Sequence, residues 1–434
     1  MSDSTKPAAS MEMSQSAKYY TLAILTIVYV FNFIDRQILV ILQPLIKADL
    51  DLSDTQLGLL SGIAFAFFYT VLGIPIARLA DRSNRRNIIA VALTAWSAMT
   101  VVCGYTQNYI QLLLARMGVG VGEAGGSPPA HSMISDMFTE EKRATALAIY
   151  SAGLYLGVLI GFSAGGYFGE TFGWRQTFLI VGAPGLLLAI ILYLTVREPA
   201  RTQPVKSADA PSFRDTMNRL MKLKSFPFFA IGCGMSAFVS YGTSNFMPSY
   251  MVRYHEVPLS EIGFLLAITG GGGGIIGTFL GGYLTDRIGG QDPRWYLWLP
   301  GLTAVTAVPL AIYVFNTDNT TMMLWAYFVV AVLGTLYLAP SIAVAHRLVD
   351  PRMRAMTSAI LFFVLNMIGL GGGPVIVGMI SDFFTNLNGQ DGLRIALTIG
   401  GCVALIKGYL FWSAGLKLPA DLKVAAELNN ASKE

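Results

Sequence analysis

Apolar runs long enough to cross a bilayer recur along this chain, separated by short polar breaks. A spanning helix needs roughly 20 mostly apolar residues. Twelve segments qualify, near 19–46, 57–80, 88–106, 109–136, 143–167, 175–196, 226–251, 260–284, 295–315, 321–346, 355–380 and 393–416. Barrel strands would be about half as long and alternate in polarity, and these segments do neither. The pattern therefore predicts an all-α membrane protein with twelve transmembrane helices. It divides into a disordered tail (1–18), a six-helix bundle (19–196), a cytoplasmic linker (197–224), a second six-helix bundle (225–416) and a C-terminal tail (417–434). In the linker, Phe213, Met217, Leu220 and Met221 recur at helical spacing among Arg214, Arg219, Lys222 and Lys224. That predicts a short amphipathic helix on the inner membrane surface, against the alternative of a plain connector.

Composition agrees. The chain has 434 residues, 54% hydrophobic and 13% charged, where a soluble domain carries about 25% charge. Such scarcity excludes a soluble fold, and high hydrophobicity excludes general disorder. A net charge of +4 without a basic cluster gives no footprint for nucleic acid. Cys103, Cys233 and Cys402 lie far apart in apolar runs, the pattern of reduced packing cysteines rather than of disulfides or a metal site. The first eighteen residues hold no short apolar core with a cleavage site, so no cleaved signal peptide is expected. Glycines fall inside the helices, as at Gly270–Gly274 and Gly371–Gly373, where small residues allow close helix contact.

Lys and Arg set the orientation. With the N-terminus in the cytoplasm, only Lys47, Arg175, Arg253 and Arg394 fall outside, and only Arg36, Arg116 and Lys407 fall within spans. Both termini are therefore expected to be cytoplasmic, in the inner (plasma) membrane of a bacterium.

The halves repeat. Ala77-Arg-Leu-Ala-Asp81-Arg82 after the second span matches Gly282-Tyr-Leu-Thr-Asp286-Arg287 after the eighth, and Glu141-Lys-Arg143-Ala144 before the fifth matches Arg352-Met-Arg354-Ala355 before the eleventh. Parallel six-helix repeats imply a pseudo-two-fold axis along the membrane normal and a site near the midplane between the repeats. The Asp-Arg turns resemble the signature of the major facilitator superfamily. The first copy departs from it at Ala77 and Asn84, while the second keeps Gly282 and Gly289. Asn32-Phe-Ile-Asp35-Arg36, Asp81-Arg-Ser-Asn-Arg-Arg86, Arg116-Met-Gly-Val-Gly-Val-Gly-Glu123-Ala124 with Pro128 and Pro129, and Arg197-Glu198-Pro199 resemble the spinster-like branch, whose members move lysolipids and sphingoid phosphates. The resemblance implies two pseudo-symmetric six-helix bundles, a site among spans 1, 4, 7 and 10, and an inner gate at the Asp-Arg turns.

Charges in lipid are costly and usually functional. Asp35, Arg36, Arg116 and Glu123 together would cost on the order of 10 kcal/mol unpaired. Arg116 and Glu123, seven residues apart, share a helix face about 10 Å apart along the axis, with Ser127 and His131 near it. Gly118, Gly122 and Gly126 form a separate packing stripe. The depth of Asp35, about 16 Å from the outer end of its helix, falls between those of Arg116 and Glu123. Pairing is expected across helices, Asp35 with Arg116 and Arg36 with Glu123 or substrate; a static charge network is the alternative. Asp35 and Glu123 are the candidate proton-coupling groups, because a carboxyl whose Arg partner moves can take up and release a proton. Arg36 and Arg116 are candidates for an anionic head group. His131 is a possible relay or simply a hydrogen-bonded side chain, and Lys407 packs or snorkels. By resemblance, Tyr241 and Asn245 of span 7 and Tyr337 and Ser341 of span 10 line the second half of the cavity, unless they make ordinary interhelical hydrogen bonds. Also by resemblance, Asp81, Arg82, Arg85, Arg86, Asp286 and Arg287 form the gate; the alternative is that these positives only set topology.

The expectation is a monomeric, proton-coupled transporter of an amphiphilic anion, working by alternating access, with neither cofactor nor metal. Phe65, Phe68, Tyr69, Phe162, Tyr167 and Phe246 are candidates for an apolar part of its cavity. A symporter of a small organic anion is the alternative. A membrane enzyme or ATP-driven pump is disfavoured: His131, His255 and His346 lie on different segments, and no Gly-Lys-Ser/Thr phosphate loop occurs.

Overall fold

The computed structural model describes residues 13–201 and 213–431. Of the expected disordered tail, 1–18, residues 1–12 lie outside this range, as do 202–212 of the linker, whereas 15–18 already form the start of the first helix, contrary to the expectation of disorder there.

The described chain is helical throughout its apolar runs. Some helices begin where a side chain satisfies a free backbone N–H group. Ser14 accepts from Ala17 N at the head of the first helix, Gln15–Leu50, and Ser53 and Gln56 form a reciprocal capping box at the second span. Among the described residues, ten helices are long and apolar enough to cross a membrane, or up to eleven with the bent pair Phe213–Lys222 and Phe226–His255. The remaining expected segment, 109–136, is two shorter helices, Tyr109–Glu123 and Ser127–Met137. The break at Ala124–Gly126 precedes Pro128 and Pro129, which lack the N–H groups a continuous helix would use. Broken backbone at such depth is tolerated where it is buried in protein or lines a cavity, and here Ala124, Gly125 and Gly126 are all buried.

Two further details depart from the sequence reading. Of the expected tail, 417–434, residues 417–431 belong to the last helix, Ala404–Ala431, and 432–434 lie outside the described residues. Asp421 on that extension accepts from the backbone N–H groups of Lys224 and Ser225, tying the end of the chain to the head of the seventh span. The glycine runs do more than allow contact: Ala267–Gly272 and Asn366–Gly372 are π-helical turns, at corresponding places in spans eight and eleven. Such turns are frequent at functional sites. The linker helix Phe213–Lys222 meets the seventh span at a bend of 105°. Leu220 is buried, whereas Phe213 and Met221 are exposed.

Packing differs between the two ends of the molecule. Away from the termini, one apolar core joins both halves: Ile38, Leu42, Ile46 and Leu57 pack with Phe246, Met247, Tyr250 and Ile262. Toward the termini there are two cores. One holds Leu25, Val28, Trp96, Met133 and Tyr150, and the other holds Phe229, Leu297, Val344, Leu361 and Phe411. The halves are fused at the end remote from the termini and largely separate at the end that carries them.

Candidate functional site

The first span carries Asp35 and Arg36 on successive positions, which point about 100° apart. That turn decides the site. Arg36 Nε donates to Glu123 Oε2 of the fourth span at 2.7 Å, and the Glu123 side chain is fully buried. The guanidinium also lies over three rings, Phe33 at 5.1 Å, Phe65 at 4.9 Å and Tyr69 at 4.6 Å. Each such contact is worth about 0.5–2 kcal/mol, so aromatic faces do part of what water would otherwise do for this cation. Phe65 and Tyr69 stack on each other, one helical turn apart on the second span.

Arg116 behaves differently from the expectation. It is buried and lies 5.7 Å from the Phe65 ring, but its Nη1 donates to the backbone carbonyl of Asp35 at 3.4 Å, not to the carboxyl. The helix face that brings Arg36 onto Glu123 turns the Asp35 side chain toward Thr100 of the third span. Both carboxyl oxygens of Asp35 and Oε1 of Glu123 are buried without a hydrogen-bond partner among the described residues. Two arginines and two carboxyls thus share one neighbourhood joined by a single ion pair, with Thr100 beside the Asp35 carboxyl and Asn32 beside that of Glu123.

Ser127 and His131 continue the same face. His131 packs edge-on against Tyr150 at 5.2 Å and is itself exposed, and Tyr150 stacks on Tyr29. Tyr241 of the seventh span faces Arg36 and Tyr69 from the other half. Asn245 does not line the cavity: it is buried, accepting from Ser61 Oγ at 2.7 Å and from Gln43 Nε2, and so bonds the seventh span to the first and second. Tyr337 is buried beside Lys407, and Ser341 is fully buried. Of the candidate aromatics, Phe65 and Tyr69 border Arg36 and Phe162 lines a cavity, whereas Phe246 is core and Tyr167 faces outward.

Two cavities adjoin the site. One of about 260 Å³ lies between the halves and is lined by Gln37, Phe162, Ser240, Ser244, Thr335 and Lys407. The other, about 680 Å³, lies between the second and eleventh spans, bordered by Tyr69, Arg78, Pro128, Phe213, Phe362 and Asn366.

At the expected inner gate, Arg85 is fully buried. It bonds Asp136, Ser132 (2.9 Å), Glu198 (2.7 Å) and the Pro199 carbonyl (2.9 Å), while the Arg86 backbone N–H donates to Glu198. These contacts clamp spans three, four and six within one half. Arg201 donates to the carbonyls of Ala80 and Ser83 at the end of the second span. Arg82 and Arg287 are exposed, and Asp286 accepts weakly from the Tyr296 hydroxyl at 3.4 Å. Asp81 lies on the helix, but its side chain is outside the described part.

The sequence reading missed the cluster at the opposite end. Asp54 accepts from Lys47 Nζ at 2.6 Å, from Arg253 Nη2 at 2.7 Å and from Ser381 Oγ at 2.6 Å. Asp382 accepts from the backbone N–H groups of Asp54 and Thr55, capping the second span from the eleventh. Glu170 accepts from Ser260 N at 2.8 Å, capping the eighth span from the fifth. The signal was there in Arg253 and Lys47, two of only four cations at that end.

Known proteins resemble this chain in sequence and fold. The chain is 32% identical to an MFS-type efflux pump of Mycolicibacterium smegmatis, over 92% of this chain and 93% of that protein. It is 27% identical to protein spinster homolog 1 of Xenopus laevis, over 93% and 81% respectively. A crystal structure of a bacterial homolog to the human lysosomal transporter Spinster, inward-facing and unoccupied, superposes with a TM-score of 0.88 at 32% identity, covering 94% of this chain and 99% of that one. The family model for the Major Facilitator Superfamily matches residues 25–374 and 229–429. The chain belongs to the major facilitator superfamily: it is a multi-pass membrane transporter related to the spinster proteins, and not an enzyme.

Proposed function

We propose that this transporter moves an amphiphilic anion, such as a lysophospholipid or sphingoid phosphate, by alternating access driven by protons. The observation that carries the reading is the Arg36–Glu123 pair, a buried carboxylate and a half-buried guanidinium in an aromatic surround, next to the 680 Å³ cavity between spans two and eleven. A cation in contact with rings suits a head group whose tail must remain in apolar surroundings. The side cavity supports entry from the bilayer. Its walls include Phe362 and Phe363, and Arg78 stands among them.

Coupling is assigned to Glu123 and Asp35. An incoming anion competes with Glu123 for Arg36, and a proton on Glu123 releases the arginine to the anion. Asp35 and Arg116 lie beside that exchange and hold a second proton-accepting site. The likeness to an inward-facing homolog and the fused core remote from the termini support a cycle in which the halves rock about this site. The termini and the open end are placed in the cytoplasm by the Lys/Arg bias.

The test is reconstitution into liposomes with an imposed pH gradient, a labelled lysophospholipid and a labelled sugar acid. Lysophospholipid uptake should rise with the gradient and lose that dependence in Glu123→Gln. Uptake indifferent to the gradient would reject proton coupling. Uptake of the sugar acid that lysophospholipid does not inhibit would move the assignment to small organic anions, which the hydroxyls on the 260 Å³ cavity also suit.

A further inference from the structure

Lys407 has no part in the mechanism above. It lies in the last span, just beyond the helix break at Val403, and is 4% exposed. A lysine at this depth can run its stem to the membrane surface. This one does not: its ammonium sits 5.4 Å from the Tyr337 ring, beside Cys233, and it lines the 260 Å³ cavity between the halves.

The arginines held inside the first half, Arg36, Arg85 and Arg116, have carboxyl groups near them. Arg36 pairs with Glu123, Arg85 with Asp136 and Glu198, and Arg116 neighbours Asp35 and Glu123. Lys407 makes no ion pair among the described residues. An unpaired buried ammonium is costly, and one ring face offsets only part of that cost. The cavity it lines carries hydroxyl groups on the seventh span, from Ser236, Ser240, Thr243 and Ser244. An ammonium among hydroxyls, with no carboxylate on the described walls, is complementary to an anion that also accepts several hydrogen bonds.

We propose that Lys407 and the hydroxyl face of the seventh span form an anion subsite in the second half of the transporter. It takes the phosphate or carboxylate of the substrate head group. The proposal rests on the reading of the substrate as an anion, but not on its having an acyl tail. Because Lys407 and Arg36 belong to different halves, the substrate would touch both moving bodies, as alternating access requires of a load that controls closure.

Two measurements on the full-length purified protein decide it. The first compares binding of lysophosphatidate with that of the uncharged monoacylglycerol of the same chain. Lys407→Met should weaken lysophosphatidate binding at least tenfold and leave monoacylglycerol unchanged, and Lys407→Arg should recover most of the loss. Equal effects on both lipids, or none, overturn the subsite. The second places Lys407→Cys in a chain whose native cysteines are replaced, and follows its reaction with an anionic methanethiosulfonate. The introduced thiol should react, and lysophosphatidate should slow the reaction. A thiol that stays unmodified overturns the subsite whatever the lipids do. If wild type binds neither lipid but gluconate protects the introduced thiol, the amphiphile reading falls and the subsite stands.

Discussion

Single residues sort into two kinds by what their charge meets. Arg85 is structural: its guanidinium is buried and bonded to two carboxylates, a hydroxyl and a carbonyl within one half. Removing one partner of such a buried group typically costs about 3–5 kcal/mol. Arg85→Ala is therefore expected to lower the unfolding temperature and the yield of monodisperse protein, with ligand affinity per folded molecule unchanged; thermal-shift and binding measurements on the same preparation check this. Glu123 is different, since its carboxyl has one arginine bond, to Arg36, and the neutral Asn32 beside it. Glu123→Gln keeps shape and most packing but cannot exchange a proton. Gradient-driven uptake should fall at least tenfold while counterflow exchange of substrate persists. Loss of folding instead would mark the pair as a static lock. Of these two roles, the sequence exposed the depth and face of Glu123 but not the burial of Arg85, because the partners of Arg85 come from the fourth span and from the end of the sixth.

At the scale of elements, glycine controls how closely the two halves meet. A Cβ on Gly58 would stand 2.3 Å from the carbonyl oxygen of Pro374, and one on Gly263 would stand 2.1 Å from that of Phe162. Both contacts are to backbone, so no rotamer change relieves them. They join the second span to the eleventh and the eighth to the fifth, in corresponding places of the two halves. Gly58→Val or Gly263→Val should force those helices apart at the end remote from the termini. Spin-label distances across that end should lengthen and its cysteine reporters should gain reactivity; unchanged distances would show that the interface absorbs the added bulk. The sequence placed these glycines in helices, yet a contact between halves cannot be read from one helix's spacing.

For the whole molecule, the question is which end closes. One apolar core bridges the halves remote from the termini, and Asp54 with Lys47, Arg253, Ser381 and Asp382 fastens that end with charge-assisted hydrogen bonds. At the other end the two cores are largely separate, and a 680 Å³ cavity opens between spans two and eleven. Asp54→Asn removes the charge at the centre of the lock. It should shift the conformational balance toward the form open at the end remote from the termini by roughly 1–3 kcal/mol, or about 5–150-fold in population. Accessibility of cysteines at each end, read in parallel, would show one rising as the other falls. If neither changes, apolar packing alone holds the end shut.

What the sequence settled by itself is what local composition controls. Runs of apolar residues set the spans, Lys and Arg in loops set the expected orientation, and repeated loop motifs set the two halves. The four charges inside the spans were legible too, because a charge in an apolar run is conspicuous at any position. Only the tertiary structure decided what those charges meet: that Arg36 takes Glu123 and three rings, that Asp35 turns its carboxyl from Arg116, and that Asn245 ties two halves together. The same holds for the Asp54 lock, assembled from residues up to 328 positions apart. Burial and periodicity are properties of a segment and can be read along the chain. Partnership between side chains depends on helix rotation and on the relative placement of two bundles, which no single segment encodes.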